Sequence, residues 1–150
     1  MAKLIAVRAA TLDDVQRFQL SEQDDKECWS VLRVSGREGL QRSVARSADC
    51  YIAEEQGQAV CLFGCIPTGP GASFWLLFPA GIEKLPMSFF RTAQPVIDEL
   101  LEKYEYLVNY AHVDKLFIIR LSKWLGFTVN DPQPYGHDGE LFHCVWKRRE

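Results

Sequence analysis

Ser73-Phe74-Trp75-Leu76-Leu77-Phe78, closed by Pro79, is the stretch on which the fold of this 150-residue chain turns. It carries no charge and is rich in aromatic and branched side chains, so it reads as a strand buried on both faces, and Pro79 ends it. From Pro86, suited to a first helical position, to Tyr104 the residues Phe89, Phe90, Ala93, Val96, Ile97 and Leu100 recur at helical spacing, and Pro95 is placed to bend the helix. Tyr106 to Tyr110 is then a short strand. A strand, a long helix and a second strand in succession make a crossover connection, which predicts that the two strands lie side by side and parallel.

Toward the N-terminus, Cys50 to Glu55 and Ala59 to Ile66 alternate as strands about a Gln56-Gly57-Gln58 turn, which is a hairpin, and Pro67-Thr68-Gly69-Pro70-Gly71 turns the chain again. Lys3 to Arg8 reads as the first strand. Thr11 stands three residues before Asp14 in a helix-start arrangement, and Leu12, Val15 and Phe18 follow at helical spacing, predicting a helix over Leu12 to Leu20. Ser21 to Ser35, acidic first and apolar later, predicts more helix lying over the sheet and ended by Gly36, with a further helix from Arg37 to Arg46 whose inner side holds Leu40 and Val44. Toward the C-terminus, Asp114 to Leu125 reads as a helix ended by Gly126, Phe127 to Val129 and Leu141 to Trp146 as strands around a loop rich in proline and glycine, and Lys147 to Glu150 as a solvated tail. No repeat or linker divides the chain, so residues 1–150 are expected to form one domain.

With 47% hydrophobic residues the chain has material for one core. The net charge of -3 and the scattered basic residues supply no broad positive surface, so neither nucleic acid nor an anionic membrane is an evident partner. No apolar run is long enough for a signal peptide or a bilayer span, which predicts action in the cytoplasm. The five cysteines, Cys28, Cys50, Cys61, Cys65 and Cys144, are expected as free thiols. Cys61 and Cys65 share a strand face too far apart for a compact zinc site, so no metal is expected, and no His-rich cluster or nucleophile elbow supports a hydrolase.

The order of strand, two or three helices, three antiparallel strands, long helix, strand, helix and two strands resembles the GNAT superfamily of N-acetyltransferases. Asp114-Lys115-Leu116-Phe117-Ile118-Ile119-Arg120-Leu121-Ser122-Lys123-Trp124-Leu125-Gly126-Phe127 is similar to that family's fourth-helix segment ending in Gly-Phe. The resemblance implies a single α/β (α+β) domain, with a central mixed, mostly antiparallel sheet of about seven strands and helices on both faces. It implies acetyl-CoA as cofactor, with the strand before the long helix splaying from the next to admit the pantetheine arm along Leu76 to Pro79, and so beside Leu77 and Phe78. The pyrophosphate would rest on backbone N–H groups between about Ala80 and Ser88.

Several positions depart from the family's pattern. Its phosphate loop carries Arg or Gln, two residues, Gly, one residue, then Gly or Ala, whereas here Ile82, Leu85 and Met87 fall at those places, leaving Gly81 and Lys84 to compensate. Ser122 stands where many members carry a tyrosine that protonates the departing thiolate, and Lys115 where an asparagine often lies near the pantetheine. Tyr110 or His112 would then supply a proton from the cleft edge, and Glu54 or Glu55 would serve as base.

The segments Ser73 to Phe78, Gly81 to Lys84 and Leu101 to Tyr110, with the Gly-Phe helix, are also similar to a small phage-encoded branch of the superfamily, the internal virion protein A of T7-like phages. Two functions follow from these likenesses. One is acetyl transfer to an unknown amine substrate, and the other is a catalytically weak scaffold that binds a host or virion protein. Denatured without reductant, the protein should titrate all five thiols with a chromogenic disulfide reagent, since nothing in the sequence directs it to an oxidising compartment.

Overall fold

The structure, a computed structural model, describes residues 5–82 and 85–150. Thr11 caps the first helix: its hydroxyl accepts from the Asp14 N–H while the Asp14 carboxylate accepts from the Thr11 N–H, completing a capping box. Strand β1 (Ile5–Ala9) therefore leads directly into α1 (Leu12–Arg17), which is shorter than its periodicity predicts because Phe18 turns to extended backbone and buries its ring. Ser21 caps α2 (Glu22–Leu32), and Ser35 caps α3 (Gly36–Arg46). Gly36 thus opens a helix and does not close one. Arg33, in the left-handed conformation at φ 58°, ends α2. The requirement at Gly36 is close approach, since its N–H donates to Asp25 Oδ1 at 2.6 Å and a Cβ there would lie 2.9 Å from that oxygen.

The meander follows as β2 (Asp49–Glu55), β3 (Gln58–Thr68) and β4 (Gly71–Leu77). Gln56 and Gly57 both take positive φ, the two-residue geometry whose twist suits an antiparallel hairpin. Strand β3 runs past its sequence boundary through Pro67, which pairs with Ala72 of β4. At that point β3 has outrun β2, so the missing proline N–H costs no ladder bond. Helix α4 (Met87–Lys103) begins after Pro86, which occupies the cap position, and leads to β5 (Tyr106–His112).

Helix α5 (Leu116–Trp124) closes with Gly126 at φ 87°. The Phe127 N–H donates to the Ser122 carbonyl and the Gly126 N–H to the Lys123 carbonyl, which satisfies the last turn. Strands β6 (Thr128–Val129), β7 (Gln133–Tyr135) and β8 (Glu140–Arg148) complete the chain. The short β7 lies within the stretch read as loop. The expected solvated tail is instead largely strand: Lys147 and Arg148 pair with Leu107 and Tyr106, and the Lys147 ammonium donates to the Leu125 carbonyl at 2.8 Å.

All eight strands form one mixed sheet in the order β1-β2-β3-β4-β5-β8-β6, with β7 on β8, and only β4 and β5 are parallel. Alternation sorts the side chains. Cys61, Phe63, Cys65 and Phe74 face α4 and α5 with Phe89, Ile97, Leu100 and Ile119, whereas Ile52 and Leu62 face α1 and α3 with Val15, Phe18 and Leu40. Helices therefore cover both faces. All five cysteines are free, and burial pushes the Cys61 and Cys65 thiols up to about 12, which makes them poor nucleophiles.

The Trp75 ring lies across Gly64, its directly paired neighbour on β3, and its indole N–H donates to Ser47 Oγ at 2.8 Å just after α3. A Cβ on Gly64 would sit 2.7 Å from that ring. Gly64→Ala should consequently displace Trp75, break its bond to Ser47 and cost about 2 kcal/mol, read as a lower urea midpoint with an unchanged slope.

Candidate functional site

Strands β4 and β5 pair only at Ala72 with Leu107 and Ser73 with Val108, and beyond that point they part. Each remains fully laddered on its other side, β4 to β3 and β5 to β8. Beyond Ser73, alternate residues of β4 turn their N–H and C=O groups toward the gap, where no strand answers them. The gap opens into two adjoining chambers. An inner one of about 270 Å³ is bounded by α2, α3, Trp75, Tyr110, Tyr135 and Phe142. An outer one of about 340 Å³ is bounded by Phe78, Ile82, Leu116 and Phe117, and Leu76, Leu77, Asp24, Lys115 and Ile118 line both.

The outer chamber ends beside the loop that leads to α4. That helix has no side-chain cap, because Pro86 brings neither a donor nor an oxygen-bearing side chain to its N-terminus. Within the loop, the Ala80 N–H donates to the Gln19 carbonyl at 2.8 Å and Gly81 holds φ 88° with open space around it. Leu77 and Phe78 line the outer chamber, and Gly81 lines the adjoining hollow with Ile82 and Leu85. Lys84 lies outside the described residues.

Lys115 is where the structure adds most. Its backbone starts α5, while its ammonium crosses the cleft to α2 and pairs with Asp24 Oδ1 at 2.6 Å and Glu27 Oε2 at 2.8 Å. The three side chains are only 16%, 12% and 18% exposed. The contact to Asp24 is an aligned hydrogen bond. That to Glu27 satisfies distance alone, so Glu27 Oε2 is buried beside the ammonium without an aligned donor. Burial raises the Glu27 carboxyl above its ordinary range against the pull of Lys115. Burial also works against the Lys115 ammonium, but Glu27 and Asp24 outweigh it and hold Lys115 above its ordinary range and charged.

Above the inner chamber, Glu140 accepts from the Ser30 hydroxyl and contacts His112 Nε2 at 3.2 Å, and these two bonds hold the Glu140 carboxyl below its ordinary range. The β7–β8 turn lies on the end of α2, where the His137 and Asp138 N–H groups donate to the Val31 and Ser30 carbonyls. Tyr110 stacks on Tyr135, with ring centroids 4.1 Å apart, and faces the inner chamber. Burial and neighbouring Cys144 raise its phenol above the ordinary value, so it stays protonated at neutral pH.

Glu54, Glu55 and Ser122, named from the sequence, line neither chamber, and Glu55 borders the hollow beside Gly81. Glu54 is on β2, its carboxylate accepting from Arg8 Nε at 2.7 Å, and it lines neither chamber. The Ser122 hydroxyl donates to the Ile118 carbonyl of its own helix at 2.7 Å, which commits its proton, and it lines neither chamber either. Asp24 and Glu27 were missed. In the sequence they belong to an acidic helix start, which commonly means a solvated face. The apolar end of α2 that was expected to lie on the sheet instead leaves Trp29 and Leu32 each 53% exposed. Among the described residues no group of His, Cys, Asp and Glu could hold a metal, and no helix is long and apolar enough to cross a membrane.

No family model matches the sequence, and no curated protein matches it. The backbone, however, superposes on solved acetyltransferases. The ribosomal L7/L12 alpha-N-protein acetyltransferase RimL in complex with coenzyme A matches at a TM-score of 0.71 and 13% identity, covering 98% of this chain and 95% of that one. A ribosomal-protein-alanine N-acetyltransferase from Brucella melitensis matches at 0.66 and 16%, covering 95% and 99%. The protein yncA from Salmonella typhimurium, solved with its cofactor acetyl-CoA, matches at 0.61 and 14%, covering 97% and 94%. At these identities the likeness is one of fold, and the fold is that of the GNAT acetyltransferases.

Removing the Lys115 ammonium leaves two buried carboxylates facing each other. Lys115→Met should therefore destabilise the protein by about 3 kcal/mol in urea unfolding, and adding Glu27→Gln should recover a large part of that loss, because one uncompensated charge disappears.

Proposed function

We propose that this chain is a GNAT-type N-acetyltransferase that takes acetyl-CoA into the cleft between β4 and β5 and passes the acetyl group to an amine. The observation that carries this reading is the parting of the two parallel strands after Ser73 and Val108, with the loop that leads to α4 at the end of the gap. Leu76, Leu77, Phe78 and Ile118 offer apolar walls to a pantetheine arm, while the free polar edge of β4 offers partners to its amides. The start of α4, which no side chain caps, with Gly81 giving the loop its left-handed turn, suits a pyrophosphate, to which Lys84 would add a point charge. Acetyl-CoA supplies an activated thioester, which an amine attacks directly without metal or covalent enzyme intermediate.

The chain's own residues then position the reactants and move protons. Tyr110, held protonated on the wall of the inner chamber, is the donor toward the departing sulfur in place of Ser122. The β4 backbone N–H groups at the gap are the donors available to the thioester oxygen. A second reading, that the scaffold binds a host or virion protein without chemistry, draws support from Lys115, whose ion pairs stand in the passage a cofactor arm would use.

Calorimetric titration with coenzyme A separates the two, since micromolar to submillimolar binding is expected for the enzyme, and absence of binding at millimolar concentration would leave the scaffold reading. Gly81→Val should weaken that binding because a β-branched residue resists φ 88°. With peptides bearing free amines as acceptors, Tyr110→Phe should slow coenzyme A release roughly a hundredfold while Ser122→Ala leaves it unchanged.

A further inference from the structure

The inner and outer chambers share Leu76, Leu77, Ile118, Asp24 and Lys115 as lining residues. The apolar members belong to β4 and α5, which the surrounding ladders and core hold in place. The polar members join across the passage through the Lys115 ion pairs with Asp24 and Glu27, one helical turn apart on α2. The Lys115 backbone is fixed at both ends: its N–H donates to the His112 carbonyl at 2.9 Å and its carbonyl accepts from the Ile119 N–H at 3.1 Å. Only the side chain is free to move, on a flexible four-carbon stem whose head is well hydrated outside.

We propose that the Lys115 ion pairs to Asp24 and Glu27 form an intramolecular gate that closes the cleft in the absence of ligand and must open before a coenzyme A thioester can reach the inner chamber. The inference rests on reading the cleft as a coenzyme A site. Geometry supports it in two ways. Lys115 and Asp24 line both chambers, so an arm threading from the α4 loop to Tyr110 runs beside their ion pair. The contact to Glu27 is misaligned, so releasing Lys115 forfeits one aligned hydrogen bond and not two. A gate of this kind reduces apparent affinity by the fraction of molecules that are open, and removing it restores that factor.

The test compares coenzyme A binding to the wild-type chain and to a variant combining Lys115→Met with Glu27→Gln, by calorimetry for affinity and stopped-flow for association rate. The gate predicts about tenfold tighter binding and a matching rise in association rate for the variant. A merely structural ion cluster leaves the association rate unchanged. Equal or weaker binding by a variant with wild-type circular dichroism overturns the gate and leaves the coenzyme A reading standing. Binding by neither protein overturns both. Should the double variant not fold, Asp24→Ala removes the aligned acceptor alone, and it must then show the faster association for the gate to stand.

Discussion

The parallel pairing of β4 and β5 is confined to two residue pairs, and the architecture around the cleft depends on how that short contact is held. Two strands that part would ordinarily collapse together or fray, since their facing backbone groups lose partners. Here each is anchored on its outer side by seven antiparallel pairs, β4 to β3 and β5 to β8, so neither can swing in to close the gap. The crossover α4 covers one face through Phe89, Ile97, Leu100 and Leu101, and its start is carried to the gap by the same connection that makes the pair parallel. A cleft between rigid edges beside an uncapped helix start is the outcome.

The interior of that cleft is partly ionic, which distinguishes it from the dry cores on the two faces of the sheet. Placing three charges with little exposure costs desolvation that is offset only by their mutual attraction. Lys115 remains cationic because two carboxylates face it, and burial raises the Glu27 carboxyl above its ordinary range. The same helix α2 takes part in a second polar contact through Ser30 and Glu140, and its last carbonyls accept from the β7–β8 turn. Charge on its inner side and backbone at its end thus hold α2 over the inner chamber. Its apolar residues Trp29 and Leu32 are left outside, with Arg33 placed over the Trp29 ring.

Local patterns that carry their own physical cause were legible in the chain. Thr11 and Asp14 cap the first helix, Gln56-Gly57 turns the hairpin, and Gly126 ends α5, each because a backbone conformation or an unpaired N–H selects those residue types. The strand, long helix and strand from Ser73 to Tyr110 foretold the parallel pair. Gly36 misled because glycine is a common helix terminator. Its reason here is contact with Asp25, eleven positions away, which no local pattern records. Lys147 and Arg148 misled because charge suggests solvent, while their backbone completes the ladder with β5.

The sequence by itself determined the order of the elements apart from β7, and the crossover that makes β4 and β5 parallel, since these follow from periodicity and chain connection. Only the tertiary structure decided which polar groups share the cleft. Ser122 turned back onto its own helix and Glu54 paired with Arg8, while Asp24 came to face Lys115 across 91 positions of chain and Glu27 joined it there. The physical reason is that an ion pair is selected by distance in space and by shielding from water, and spacing along the sequence encodes neither.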